Sequence, residues 1–222
     1  MNKVWAVVMF LVLPLIFTLQ VNAQVVSSEV AKAEVLKEPR FSASLGLGSS
    51  YGFEEEKLGK LKKYSNAFTS SLRLGYSLSK YVEVQGEYSR ASKFEAAHDY
   101  GSYYLKTSFA FSAFTFNIKA GTPVRIKKIN FYPYVVLGAG KANVDYSVLY
   151  KSTTMSVGSD KNSPHSCSKK GIGVEVNLHK NIYLFSELNN WKVKWENIGS
   201  EQGYVFHYQQ IITGLTLKFS TK

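Results

Sequence analysis

The sequence predicts an all-β protein, an eight-stranded antiparallel barrel in which each strand pairs with the next one along the chain. Three observations lead to this fold class. Eight segments alternate apolar and polar residues with the period of two that is typical of strands. Short and long connections follow one another in strict rotation, as in an up-and-down meander. After an N-terminal apolar run, the 222 residues contain no long segment with a helical period.

The N-terminal segment predicts export. Lys3 is the only charge before the apolar run "VWAVVMFLVLPLIFTL", and Val21 and Ala23 are the small residues before a cut at Gln24. This order is that of a signal peptide, and the run is short for a membrane-spanning helix of roughly 20 residues. We therefore predict a signal peptide over 1–23, an exposed lead-in over 24–39 and a barrel domain over 40–222. A single transmembrane anchor is the alternative.

The first four alternating segments each have one apolar and one polar face. The fourth segment, "LKTSFAFSAFTFNI", changes phase, which predicts a β-bulge near Ser112 because one inserted residue reverses the two faces. The apolar positions are Phe41, Ala43, Leu45 and Leu47; Phe68, Leu72, Leu74, Tyr76 and Leu78; Val82, Val84 and Tyr88; and Leu105, Phe109 and Phe111 followed by Phe114, Phe116 and Ile118.

The last four segments continue the pattern. The fifth, "FYPYVVLGAGKANVDYSVLY", also changes phase, beside Gly138 and Gly140, and Phe185 falls on the polar side of the seventh. The apolar positions are Val135, Leu137 and Ala139 followed by Val144, Tyr146 and Val148; Ile172, Val174, Val176 and Leu178; Leu184 and Leu188; and Leu215, Leu217 and Phe219.

The connections indicate which face meets lipid. The short ones are "SK", "TPVRIKKIN" and "HKN", and the long ones are "YGFEEEKLGKLKKYSN", "ASKFEAAHDYGS", "KSTTMSVGSDKNSPHSCS" and "KVKWENIGSEQG". All short turns therefore lie at one end of the meander and all long loops at the other. A soluble two-sheet sandwich would have to bury the charges of the polar faces. In a transmembrane barrel the apolar faces meet lipid and the polar faces line a lumen.

Four stretches make a family resemblance visible. "GYSLSKYVEVQGEYSR", "FYPYVVLGAGKANVDYS" and "GIGVEVNLHKNIYLFSELN" resemble strands of the small outer-membrane β-barrels of Gram-negative bacteria, the superfamily of the outer-membrane protein A barrel domain and of eight-stranded surface antigens and adhesins. The C-terminal Gly214, Leu217 and Phe219 resemble the signal that the barrel-assembly machinery reads in that superfamily, although here the chain continues through "STK". The resemblance implies an outer-membrane location, turns that face the periplasm and long loops outside.

The interior of a barrel of this size is filled by side chains, so a diffusion pore is not expected. The polar faces place four acids and four bases in the lumen, and we predict that they form a neutral ion-pair network, since buried charges are paired. A proton or ion pathway is the alternative. The eight residues are Arg73, Glu83, Glu87, Lys106, Lys119, Glu175, Glu187 and Lys218.

The sequence offers no catalytic constellation and no metal or cofactor motif. None of His98, His165, His179 and His207 has both a nucleophile and an orienting acid beside it, so we expect no enzyme activity, no cofactor and no catalytic residue. Cys167 is the only cysteine and is expected to be a loop thiol. The net charge of +11 is scattered along the chain, which argues against nucleic acid as a partner.

Aromatic and basic residues predict how the barrel meets its membrane. We expect aromatic girdles formed by Trp191 and Trp195 at the loop end and by Tyr81, Tyr132 and Tyr134 at the turn end. The short turns carry bases and no acid, so Arg125, Lys127 and Lys128 are expected to contact anionic lipid headgroups. The turn-end bases are Lys80, Arg125, Lys127, Lys128, His179 and Lys180.

The resemblance also implies a function for the loops. We expect a monomeric surface protein whose long loops contact host or environmental macromolecules, as in the adhesins and surface antigens of the superfamily, because in such barrels the scaffold is generic and the loops differ. A structural role in envelope integrity is the first alternative. A barrel enzyme that modifies lipid A is the second.

Overall fold

The structure is a computed structural model that describes most of the chain from Phe41 onward. In its strands, successive side chains point to opposite faces, as the period-two pattern of the sequence predicts. The described residues are 41–55, 64–99, 104–126, 129–150, 153–155, 164–195 and 204–219. The predicted signal peptide and lead-in lie outside them.

Eight long strands and two short ones make up the described part. The short ones, β5 and β7, each pair with the end of the long strand β6, as hairpin extensions. The strands are β1 (Phe41–Glu55), β2 (Ala67–Ser77), β3 (Val82–Asp99), β4 (Tyr104–Gly121), β5 (Val124–Ile126), β6 (Ile129–Tyr150), β7 (Thr153–Met155), β8 (His165–His179), β9 (Ile182–Trp195) and β10 (Tyr204–Phe219).

The eight long strands close into an antiparallel barrel. Each pairs with the next along the chain, β4 pairs with β6, and β1 pairs with β10 from Phe41↔Phe219 onward. No strand crosses over another in the sheet order, so the predicted up-and-down eight-stranded barrel is confirmed. Over the described ranges, no helix is long and apolar enough to cross a membrane.

Apolar side chains cover the outer wall. Leu45, Leu74 and Phe116 are 59%, 64% and 71% exposed, and they belong to a band that runs around the barrel. This apolar area is far larger than the apolar patches on water-soluble proteins, and it is typical of the lipid-facing band of a transmembrane barrel. We call this band the apolar belt. Its members include Phe41, Leu45, Leu47, Phe68, Leu72, Leu74, Tyr88, Phe114, Phe116, Ile118, Val135, Leu137, Ile172, Leu184, Ile211, Leu215, Leu217 and Phe219.

The interior has a polar half and an apolar half. Toward the short turns it holds buried charged and polar side chains such as Arg73, Glu83 and Lys119. Toward the long loops it holds an aromatic and aliphatic cluster, which we call the apolar plug. The plug contains Tyr64, Ala67, Ala91, Phe94, Ala96, Phe109, Phe111, Ala113, Ala142, Val144, Cys167, Trp191, Val193, Phe206 and Tyr208.

The plug explains two predictions that are wrong. No bulge lies at Ser112 or beside Gly138, because β4 and β6 pair without interruption from Leu105↔Tyr150 to Gly121↔Tyr134. Phe109 and Phe111 point inward into the plug, whereas Phe114 points outward into the belt. The register shift of this hairpin lies instead on β3, between Ala91 and Phe94.

The strands also extend into stretches that the sequence predicted as long loops. Most of "ASKFEAAHDYGS" is strand, because β3 continues to Asp99 and pairs there with Tyr104 of β4. At the other end the chain turns within a few residues. In the β8–β9 turn, Lys180 has a φ of 32°, the left-handed conformation that tight hairpin turns require.

Candidate functional site: the filled lumen and its two rims

Four charged residues form a closed cluster across the middle of the lumen. Arg73 of β2 donates from both terminal nitrogens to the carboxylate of Glu187 on β9, each over 2.9 Å. Arg73 Nε also lies 3.3 Å from Glu87 Oε1 of β3. Lys169 of β8 donates to Glu87 and, over 3.2 Å, to Glu187. Two acids and two bases balance, as burial in a low dielectric requires.

A second balanced cluster crosses the lumen nearer the short turns. Lys119 of β4 pairs with Glu175 of β8 and lies 3.6 Å from Glu83 Oε2 of β3. Lys218 of β10 donates to the other oxygen of Glu175 over 2.7 Å. The hydroxyl of Ser42 on β1 donates to Glu83. The two clusters together tie walls that are not neighbours in the sheet.

The lumen network differs from the sequence prediction at one position. Seven of the eight predicted residues belong to the two clusters, but Lys106 does not. It forms a 2.8 Å salt bridge with Glu95 on the hairpin of β3 and β4, where both side chains are about a third exposed. Lys106 was assigned to the lumen because the predicted bulge placed Phe109 and Phe111 on the outer face of β4. Without a bulge, these two rings point inward and Lys106 does not.

Lys169 takes the place that was assigned to Lys106. Its side chain is buried, and it joins Glu87 to Glu187. Lys169 lies between the predicted long loop, which ends at Ser168, and the sixth alternating segment, which begins at Gly171, so it was assigned to neither. The alternation of β8 could have found it. Counting back in steps of two from the inward Glu175 passes Gly173 and Gly171 and reaches Lys169.

A polar seam separates the charged clusters from the apolar plug. Asn189 and the indole nitrogen of Trp191 both donate to Gln210 Oε1 over 3.1 Å. The amide nitrogen of Gln210 donates to Thr69 over 2.8 Å. Above the seam, the rings of Trp191 and Tyr208 stack with centroids 5.9 Å apart. Side chains therefore span the lumen at three successive levels: charged, amide and aromatic.

Two predicted girdle residues are part of this filling instead. Trp191 is buried in the plug, and Tyr134 is buried beside the charged cluster, where its hydroxyl donates to Glu187 over 3.0 Å. The girdle prediction is wrong for both. Tyr81 is 47% exposed, Tyr132 is half-buried, and the side chain of Trp195 lies outside the described residues.

The predicted assembly signal lies where the first and last strands pair and close the barrel. Gly214 pairs with Gly46, and a Cβ atom at Gly214 would overlap the carbonyl oxygen of Leu45. Leu217 and Phe219 are 44% and 51% exposed on the apolar belt. At the turn end, Arg125 lies exposed on β5, while Lys127 and Lys128 fall outside the described residues.

The histidines and the cysteine do not come together. His165 and Cys167 are inward and buried on β8, so Cys167 is not the loop thiol that was expected. His207 is half-buried on the outer face of β10 and His179 is exposed beside the β8–β9 turn. Within the described ranges, no group of three or more His, Cys, Asp or Glu side chains could hold a metal ion.

Comparison with known proteins identifies the family. A family model for the outer membrane protein beta-barrel domain matches residues 12–219. Neisserial surface protein A, NspA, is similar over 82% of this chain and 98% of its own, with 10% identity and a TM-score of 0.51. AlkL is similar over 86% and 95%, with 17% identity and a TM-score of 0.46. Ail of Yersinia pestis is similar over 80% and 99%, with 16% identity and a TM-score of 0.40.

At these identities the solved structures show the fold alone. No curated protein matches the chain. The family model covers nearly all of it, and the closed antiparallel strand order and the apolar belt are those of an outer-membrane β-barrel. The chain therefore belongs to the outer membrane protein beta-barrel family.

Proposed function

We propose that this barrel acts by contact at the cell surface, as an adhesin or surface antigen whose loop end meets a host or environmental macromolecule. Its family consists of outer-membrane proteins, so the barrel lies in the outer membrane of a Gram-negative bacterium. In the proposal the protein is a monomer that the barrel-assembly machinery inserts, with the short turns in the periplasm and the long loops outside.

The filled lumen supports a role other than transport. Charged clusters, an amide seam and an aromatic plug follow one another along the barrel, and Glu87, Lys169 and Gln210 are fully or almost fully buried within it. A solute path along the axis would require all three levels to open. What the protein does is therefore expected to take place on its rims and loops, where binding residues on rigid scaffolds are commonly found.

The observation that carries the proposal is a sheet that rises farther beyond the apolar belt at β3, β4 and β6 than at the other described strands. It consists of residues 89–99 of β3, 104–113 of β4 and 140–150 of β6, about 30 Å of strand length at the usual rise per residue. By contrast, β2 begins at Ala67, one residue beyond Phe68 of the belt. We call this sheet the β3–β4–β6 wall.

The wall is polar outside and packed inside. Arg90, Lys93, Asn143 and Asp145 are exposed on its outer face. Its inner face contributes Phe94, Phe109, Phe111 and Val144 to the plug, each no more than 4% exposed. Such a wall is firmly supported from within and presents a water-facing surface, which is what a docking platform for a large partner needs.

Two other functions remain as alternatives to be tested. A barrel that only supports envelope integrity would need no exposed platform. A lipid A-modifying enzyme would need a nucleophile, a base and an orienting group at a rim, and the described residues bring no such set together. We therefore propose that the protein is not an enzyme, and that it holds no cofactor.

A shortened wall tests the proposal. Glu95 and Ser108 are direct partners, so replacing residues 96–107 with Asn-Gly would close the hairpin by a two-residue turn without changing the register below it. Cells that carry the full barrel should bind host cells or matrix proteins, and cells with the shortened wall should lose most of that binding. Heat-modifiable migration on a gel checks that the variant is folded.

A turn-end variant serves as the control. Lys180→Gly changes the β8–β9 turn, where the left-handed φ suits glycine, and should leave binding unchanged. Equal binding by cells with and without the protein would reject the adhesin proposal, and increased detergent sensitivity of cells lacking it would then favour the envelope role. A difference between the lipid A mass spectra of the two strains would instead favour the enzyme.

A further inference from the structure

A hairpin extends beyond the barrel on the turn side. Past the last pair of β4 with β6, β5 pairs with the first residues of β6, from Val124↔Phe131 to Ile126↔Ile129. Direct partners lie on one face, and side chains alternate along each strand. These four apolar residues therefore share one face, which on β6 is the outer wall of the barrel. We call residues 124–131 the turn-side hairpin.

The outer face of the hairpin exposes apolar side chains. Ile126 and Ile129 are 45% and 49% exposed. On the neighbouring strand β8, Leu178 is 56% exposed on the same outer wall. Arg125 and Asn130 are exposed on the other face of the hairpin. The hairpin is thus an amphipathic ribbon, and its apolar face continues the apolar belt toward the turn end.

The pairing register gives the height of each residue along the barrel axis. A row of direct partners that starts at Phe41 of β1 passes once around the eight long strands and returns to β1 at Tyr51, ten residues closer to the loops. Each step to the next strand along this row therefore rises by about one and a quarter residues. The row runs through Tyr76, Val84, Ile118, Leu137, Lys170, Asn190 and Gln209.

These heights show that the apolar belt is inclined to the barrel axis. On β2 the belt reaches Phe68, about nine residues above Phe41, whereas on the opposite wall Lys170 of β8 is charged at a height of about six. At the turn end Ile129 of β6 is apolar about three residues below Phe41, at which β1 begins on the opposite wall. Three residues of a strand tilted by about 40° correspond to about 7 Å of height. Both edges of the belt are thus about 7 Å lower at β6 and β8 than at β1 and β2.

An upright barrel would not match a flat membrane on both walls. With the membrane placed to cover the belt at β2, Lys170 would lie in hydrocarbon while Ile126 and Ile129 would lie in water, and both positions cost free energy. A tilt of the barrel brings the inclined belt parallel to the bilayer and removes both costs. Acyl chains fit the hairpin better than a protein partner does, because its apolar face is continuous with the belt that lipid covers.

We infer that the barrel stands tilted in the membrane and that the turn-side hairpin inserts into the leaflet at the turn end, with Ile126 and Ile129 among phospholipid acyl chains. The exposed Arg125 on the other face of the hairpin then lies at the level of the headgroups. At the opposite end, the rim at β8 stands farther above the lipid than the rim at β2. The inference concerns lipid alone, so it does not rest on the adhesin proposal.

Spin labels on opposite walls test the tilt. Single cysteines are introduced into a Cys167→Ala barrel, or a Cys167→Val barrel if the first does not fold, and the labelled protein is refolded in phosphatidylcholine bilayers. Collision of the label with oxygen and with a water-soluble nickel complex gives its depth. Ser70 of β2 and Ser168 of β8 are a matched pair, because both are outward serines on opposite walls and their heights differ by about one residue.

The tilt predicts that the label at Ser70 lies about 7–10 Å deeper than the label at Ser168, whereas an upright barrel gives a difference of about 2 Å. A label at Ile129 tests the hairpin itself. It should lie within the bilayer, near the depth of a label at Phe41 on the opposite wall. A difference of about 2 Å or less between the two serine positions would overturn the tilt. If the nickel complex reaches Ile129 as readily as Lys80 in the β2–β3 turn, the hairpin lies in water and its insertion is overturned.

Two variants test whether the hairpin holds the tilt. Ile126→Ser/Ile129→Ser removes the apolar end of the hairpin and should reduce the depth difference between the two serine labels by about half. Leu78→Ser is the matched control, because Leu78 is 62% exposed at the β2–β3 turn, on the other side of the belt, and its loss should not reduce the difference. Heat-modifiable migration on a gel checks that each variant is folded. An unchanged difference in the hairpin variant, or an equal reduction in both variants, would overturn the role of the hairpin.

Discussion

Arg73 and Glu187 join opposite walls of the barrel through two parallel hydrogen bonds of 2.9 Å. Their strands, β2 and β9, are separated in the sheet by β1 and β10, so the pair bridges the lumen. The planar guanidinium matches the two oxygens of the carboxylate, and the ring of Phe185 lies 4.9 Å from Arg73 Cζ. Both side chains are buried, so each charge depends on the other and on Glu87 and Lys169.

Removing one acid from this cluster should therefore be costly. Glu187→Gln leaves Arg73 and Lys169 with Glu87 as the one remaining acid of the cluster, and breaking a buried pair in this way costs about 3–5 kcal/mol. We expect the free energy of unfolding to fall by that amount. Urea unfolding in phosphatidylcholine bilayers, followed by tryptophan fluorescence, measures it.

Two further variants separate charge imbalance from other effects. Glu95→Gln breaks the partly exposed pair with Lys106 and should cost less than about 1 kcal/mol. Glu187→Gln/Lys169→Gln leaves Arg73 balanced by Glu87 and should be less destabilised than Glu187→Gln alone. If the double variant instead shows the sum of two single losses, charge balance is not what stabilises the cluster.

The pairing of β1 with β10 should tolerate no side chain at Gly214, which faces Gly46. A Cβ atom at Gly214 would overlap the carbonyl oxygen of Leu45, so Gly214→Ala forces the two strands apart. We expect a loss of about 1–3 kcal/mol, as for other overpacked sites. Gly86→Ala is the control, because its Cβ would meet Phe114 Cζ at 3.7 Å, an ordinary contact.

Refolding in lipid vesicles, followed by the shift in gel mobility on heating, measures both glycine variants without the assembly machinery. Equal refolding yields and unfolding midpoints for Gly214→Ala and Gly86→Ala would contradict the steric argument. A defect of Gly214→Ala seen only in cells would point instead to the predicted assembly signal formed with Leu217 and Phe219.

The charged clusters should keep the barrel closed even when the plug is weakened. Phe111→Ala/Trp191→Ala removes two rings that are no more than 2% exposed. Each truncation lowers the free energy of unfolding by about 3–5 kcal/mol when the surrounding side chains do not close the cavity that it leaves. The charged cluster around Arg73 and Glu187 still spans the lumen on the turn side of the plug. In planar bilayers we expect neither the unaltered barrel nor this variant to pass a steady ion current, and a stable current through the variant would show that the plug alone seals the lumen.

The alternation of polar and apolar residues predicted most of the barrel, and its failures have one physical cause. Along β4 the inward face changes from Thr115 to Phe111, while the outward face changes from Phe114 in the belt to Ser112 beyond it. The pattern inverts although the strand continues, because a wall that leaves the membrane exchanges lipid for water outside and encloses a plug inside. A sequence pattern cannot distinguish this inversion from a bulge.

The site residues were predicted where the polar face was regular. Arg73, Glu87 and Glu187 follow directly from the alternation of their strands. Lys169 was missed because two glycines separate it from Glu175 and give no polarity signal. Trp191 was assigned to a girdle because aromatic residues at strand ends usually lie at the membrane surface, whereas this one reaches inward to Gln210.

Bases at the short turns lead to the last prediction, which concerns insertion into the membrane. Arg125 is exposed on β5, and Lys80, His179 and Lys180 are exposed at the other two turns. If these turns reach the headgroups of anionic lipids, each base contributes on the order of 1 kcal/mol at low salt. Replacing Arg125, Lys127 and Lys128 with Gln should then slow folding into phosphatidylglycerol bilayers more than into phosphatidylcholine bilayers, without changing the folded barrel.

The comparison of the two lipids is what makes this prediction specific. A loss of hairpin stability at β5 would slow folding equally in both, whereas an electrostatic effect appears only with phosphatidylglycerol and weakens as salt is added, because the charges lie in water. Arg90→Gln/Lys93→Gln changes the charge by two units at the opposite rim and should have the smaller effect if the turns cross the bilayer first. Equal slowing in both lipids, or no dependence on salt, would contradict the proposed headgroup contact.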